Sequence, residues 1–165
     1  STAIRNIGKY LPRAVADGSD MEAREHVAFA NTMSGYSMMT GSCTSEHSLE
    51  HALSAYHESL PHGAGLIMIS LAYYRTFIKY HCFIDMARFL GMENADKPED
   101  FLTALENLQK ACGVADLKMS DYGIKEEEFE GFVNNARTVM GALFPADPYV
   151  LSDEDCVNIY KESYK

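Results

Sequence analysis

Apolar residues recur along this chain at intervals of three and four, and no run alternates β-branched with polar residues as a half-buried strand would. That periodicity restricts the chain to an all-α fold, a compact multi-helix bundle occupying residues 1–165 as a single domain. Punctuation along the sequence agrees with this. Ser19-Asp20-Met21-Glu22 reads as a capping box, with Ser19 covering a free amide and Glu22 reaching back. It opens a helix whose inner face carries Ala23, Val27, Ala30, Met33 and Met38, and Gly41 breaks it. Thr44 or Ser45 caps a second helix to about Tyr56, and His57-Glu58-Ser59-Leu60 forms a loop. Pro61 suits the start of a central helix, since its missing amide hydrogen costs nothing there. Further helices are expected over His81–Leu90, Glu99–Cys112 and Glu126–Met140, and after the Ser152 cap, with Gly91 and Gly113 as stops.

Charge and composition narrow the function. With 14 Lys+Arg against 24 Asp+Glu the formal net charge is −10, and no basic cluster exists to neutralise a phosphate backbone, so nucleic acid is excluded as a partner. The most apolar run, Ala64 to Tyr74, falls short of the roughly 20 residues needed to cross a bilayer and reads as a buried core helix. The four cysteines are widely spaced with no C-x-x-C pair, and the first ten residues lack the apolar block of a signal peptide. These features lead us to expect a cytoplasmic protein.

Chemistry concentrates in one stretch. His47, His51, His57 and His62, four of the six histidines, fall within sixteen residues. His47 and His51 are four apart, so on a helix both rings share a face and can reach one point. His62 follows Pro61 at a helix start, where the positive dipole end disfavours imidazolium and leaves a ring nitrogen free for a metal. Gly63 and Gly65 allow another group to approach closely. His26, His57 and His81 read as structural. Tyr73, Tyr74, Phe77 and Phe83 could line a pocket, but aromatics at helical spacing belong more often to a core.

Three readings of this stretch stand side by side on the residues alone. His47-Ser48-Leu49-Glu50-His51 fits H-x-x-E-H, a zinc-protease pattern in which Glu50 would activate water, with Glu126, Glu127 or Glu128 as a distant ligand. A non-enzymatic helical interaction or metal-storage module is the second. The third is a metal site drawing on the His47 and His51 pair, with His62 as a further donor.

A longer match bears on the choice. Glu46-His47-Ser48-Leu49-Glu50-His51-Ala52-Leu53-Ser54-Ala55-Tyr56, followed by Leu60-Pro61-His62-Gly63-Ala64-Gly65, resembles the second signature of the iron-containing alcohol dehydrogenases. The resemblance extends through Ala111-Cys112-Gly113 and Ser120-Asp121-Tyr122-Gly123 to the segment bearing Tyr160, and so covers essentially the whole chain. His47 and His62 are fifteen residues apart, one more than is usual in the family, which places an insertion in the loop at residues 57–60.

The resemblance implies a protein of two domains, of which this chain is similar only to the all-helical C-terminal one. The missing nucleotide-binding domain would be its partner and would bind NAD or NADP. By resemblance, the metal is held by an Asp and a His from an earlier D-x-x-x-H segment together with residues matching His47 and His62. His51 matches the catalytic histidine placed between metal and nicotinamide, and so also contacts the cofactor. Helical spacing alone pairs His47 with His51, whereas the resemblance pairs His47 with His62. The implied metal is iron(II), with zinc(II) compatible with the same imidazoles. The implied reaction is reversible oxidation of a small alcohol to an aldehyde or ketone, carried out by a homo-oligomer, with the isolated chain inactive.

Overall fold

The computed structural model describes residues 1–165 and is all-helical, as the periodicity predicts: eight α-helices and three short 3-10 segments, with no strand. The helices are α1 (Thr2–Ala16), α2 (Met21–Thr40), α3 (Ser45–Tyr56), α4 (His62–Thr76), α5 (Cys82–Phe89), α6 (Asp100–Ala111), α7 (Phe129–Met140) and α8 (Asp153–Ser163). No helix is long and apolar enough to cross a membrane. The chain divides into two compact units, residues 1–41 with 78–115 and residues 42–77 with 116–165.

In the first unit α1 and α2 pack against each other as a hairpin, and α5 packs on α6. The sequence reading missed α1, although Ile4, Ile7, Leu11 and Ala14 mark a helical stripe around the buried Tyr10. His26 stacks on Tyr10 with ring centroids 3.8 Å apart, and its Nδ1 lies 2.7 Å from Asn6 Oδ1, which accounts for it structurally. The cap of α2 is Asp20 rather than Ser19. Asp20 accepts from the Ala23 amide at 3.0 Å while also pairing with Arg13, and Arg13 holds Glu22, the acid that the expected box needed to reach back. Ser19 instead donates to Asp17 at 2.6 Å. Met38, expected on the inner face, is 59% exposed, because the helix runs on past the residues that pack. Gly91 and Gly113 stop α5 and α6 in the left-handed region, with φ of +103° and +71°.

The second unit is organised around α3, which packs on α4 and α7, while α4 also packs on α8. Leu49, Leu53, Ile69, Phe129, Phe132 and Tyr160 are essentially inaccessible and form its core. Tyr73 and Phe77 belong to this core and Phe83 is buried in the first unit, so the core reading holds for these three, whereas Tyr74 is only partly buried. Tyr160 donates to the Leu49 carbonyl at 2.7 Å, tying α8 to the middle of α3. The Glu126–Met140 helix begins as a 3-10 turn over Glu126–Glu128 before α7 proper, and the Ser152 capping box opens α8 as expected.

Candidate metal centre

The site is built where α3 and α4 meet. Thr44 is extended, so α3 starts at Ser45 and places His47 in its first turn and His51 one turn later on the same face. Pro61, also extended, ends the loop and makes His62 the first residue of α4. The three rings converge: one nitrogen from each of His47, His51 and His62 lies within 4.8 Å of the others. Ring centroids are 5.3 Å apart for His47 and His62, 5.1 Å for His51 and His62, and 6.4 Å for His47 and His51. His47 is half-buried, whereas His51 and His62 are exposed.

Burial, and then the neighbouring His62 and His51, hold the His47 imidazole below its ordinary pKa, with Glu50 opposing. Neutral His47 is the form that can donate a lone pair to a cation. Three imidazole nitrogens around one point suit a first-row divalent metal such as iron or zinc, so the donor set fits such an ion.

Beneath the rings lies Glu50, whose side chain is wholly buried. Its Oε2 is bonded to His62 Nδ1, and its Oε1 accepts from the Ser54 hydroxyl. Gly65 makes room for it, since a Cβ there would lie 2.6 Å from Glu50 Oε1 and 2.7 Å from Glu50 Cγ. Gly63 faces nothing within 4 Å, so of the two glycines only Gly65 serves a close approach.

A second buried acid network lies at the start of α3. Glu46 is raised to about 7, chiefly by burial, while a hydrogen bond from Tyr74 opposes this. Asp147, from the loop after α7, accepts from the Ser45 amide at 3.0 Å, the Ser45 hydroxyl at 2.5 Å and the Tyr73 hydroxyl at 2.6 Å. A partner 102 residues away leaves no local signal.

The H-x-x-E-H protease reading is not favoured by this geometry. Both Glu50 oxygens are engaged in a buried position, away from any solvent-facing nucleophile. Of the proposed distant ligands, Glu128 pairs with His57 at 3.1 Å and closes on the Lys125 amide at 2.8 Å. His57 thus has a structural role, and none of Glu126, Glu127 and Glu128 is among the residues that converge with the histidines.

Comparison with known proteins extends over the whole chain. Residues 1–164 match the family profile described as the Fe-containing alcohol dehydrogenase family, C-terminal. The chain is 30% identical over 168 residues to the NAD-dependent methanol dehydrogenase of Bacillus methanolicus, covering 98% of this chain and 43% of that protein. It is 28% identical over 175 residues to a long-chain primary alcohol dehydrogenase of Thermoanaerobacter ethanolicus, covering 98% of this chain and 42% of that protein. Among solved structures, an archaeal halo-thermophilic alcohol dehydrogenase from a Red Sea brine pool superimposes with a TM-score of 0.92 at 29% identity, over 98% of this chain and 43% of the other. The chain therefore spans less than half the length of the relatives it matches. These relatives favour neither a protease nor an interaction module.

Proposed function

Because this chain belongs to the Fe-containing alcohol dehydrogenase family, as its C-terminal helical part, we propose that His47 and His62 supply two ligands of a catalytic metal and that His51 works beside it. The convergence of one nitrogen from each of these three residues within 4.8 Å supports the reading. The metal is iron(II), with zinc(II) able to occupy the same imidazoles. When bound, it supplies Lewis-acid stabilisation to the oxygen of a small alcohol undergoing NAD(P)-linked oxidation to an aldehyde or ketone.

This chain's residues have separable tasks. His47, kept neutral by burial, and His62, set at the first residue of α4, hold the cation. His51 is exposed at the rim of the cluster, where a ring nitrogen can take up or return the alcohol proton and stand against the nicotinamide. The nucleotide, NAD or NADP, is bound mainly by a domain outside these residues, and the working protein is a cytoplasmic homo-oligomer. The 165 residues alone are inactive, since they are helical throughout and hold no strand on which a dinucleotide-binding βαβ unit could be built.

Cobalt(II) titration followed by visible absorption tests the ligand assignment. His47→Ala and His62→Ala should each abolish uptake, while His51→Ala should retain most of it. Equal loss in all three would overturn the division between ligands and proton carrier. Alcohol-dependent reduction of NAD or NADP by these residues above a no-protein control would contradict the inactivity.

A further inference from the structure

We infer that Glu50 is a positioning residue that locks the His62 ring for metal binding, an inference that rests on the ligand role proposed for His62. The argument begins with cost. A carboxylate with no solvent exposure loses its hydration, a cost that only well-placed hydrogen bonds offset. The surrounding helices are nonetheless shaped to hold it. Ser54, one turn further along α3, donates to Oε1, and Gly65 on α4 leaves the hollow that a Cβ would close.

The remaining oxygen, Oε2, is committed to His62 Nδ1. With Glu50 as the carboxylate, Oε2 accepts from Nδ1–H, which leaves Nε2 as the ring nitrogen with a free lone pair. The contact also fixes the plane of a ring that is otherwise 47% exposed and free to turn. A hydrogen-bonded carboxylate behind a ligating imidazole selects the tautomer, orients the ring and raises its basicity. Neither His47 nor His51 has such a bond to Glu50, whose two oxygens are taken by Ser54 and His62.

Two variants separate positioning from packing. Glu50→Met keeps the chain length and removes the acceptor, whereas Glu50→Gln keeps an amide oxygen facing His62 and removes the charge. Histidine-ring nitrogen NMR on the metal-free chain should show His62 as Nδ1–H in the unaltered protein and in Glu50→Gln, shifting to Nε2–H in Glu50→Met. Cobalt(II) affinity should fall in the order unaltered, Glu50→Gln, Glu50→Met, with roughly a 10- to 100-fold loss for the last. Circular dichroism checks that the helices persist. If Glu50→Met fails to fold, Gly65→Ala displaces the carboxylate from the other helix and should produce the same change of tautomer.

An Nε2–H tautomer for His62 in the unaltered chain would overturn the inference. Cobalt uptake unaffected by Glu50→Met would remove the positioning role alone and leave His47 and His62 as ligands. No cobalt uptake by the unaltered chain would remove the ligand assignment, and this inference with it.

Discussion

Asp147 caps the first turn of α3 from 102 residues away, its carboxylate accepting from both the amide and the hydroxyl of Ser45. Thr44, the residue at the cap position, makes no side-chain capping bond of its own. The helix that carries His47 and His51 is therefore anchored by a loop that follows α7. Tyr73, donating to the same carboxylate at 2.6 Å, adds α4 to the anchor.

Asp147→Ala should accordingly destabilise the fold by about 2–4 kcal/mol, combining a lost cap with donors stranded in the interior. Urea denaturation measures this. A loss under about 0.5 kcal/mol, the range of an ordinary surface substitution, would show that the anchor is not needed.

Two helical glycines should respond in opposite directions to the same change. A Cβ at Gly8 would lie 2.9 Å from the Leu90 Cα, against backbone that cannot swing aside, so Gly8→Ala should cost about 1–3 kcal/mol. Gly131, in the first turn of α7, faces nothing within 4 Å, and Gly131→Ala should stabilise by roughly 0.5–1 kcal/mol. Thermal melts of the two variants that moved in the same direction would refute the contrast.

Tyr160→Phe should cost about 1 kcal/mol, because it removes the hydroxyl donated to Leu49 and nothing else from a fully buried ring. The same variant should speed hydrogen exchange at the amides of α3 around Leu49. Unchanged exchange there would mean that the bond does not hold α8 to α3.

The thiols should separate by reactivity. Cys82 is exposed, whereas Cys156 is wholly buried and its thiol is pushed up to about 12, chiefly by burial. Iodoacetamide at pH 8 should modify Cys82 in the native protein and reach Cys156 only after urea is added. The sign of the linked stability follows from the folded value lying above the ordinary 9.0. The folded chain holds the Cys156 proton more tightly, so that contribution is complete below about pH 9 and is lost as pH rises toward 12. Cys156→Ala should flatten the fall in urea midpoint above pH 9.

The helical pattern was legible because amphipathic periodicity and end signals are local. Gly41, Pro61, Gly91, Gly113 and Ser152 all mark boundaries that the fold observes. At α2 the local signal misled. Ser19 and Asp20 are adjacent potential caps, and the Arg13 contacts that select Asp20 come from the preceding helix. Sequence alone determined the helical class, the family, and the histidine-rich segment in which the site lies, since these reside in residue order and spacing.

Tertiary structure alone decided which groups meet. The pairing of His47 with His51 follows from one helix, but bringing His62 to them depends on how α4 packs on α3. The same packing buries Glu50 against Gly65 and turns it toward His62, and it carries Asp147 to Ser45. Such contacts depend on side-chain volume and burial summed over several helices. No spacing rule within a single segment encodes them.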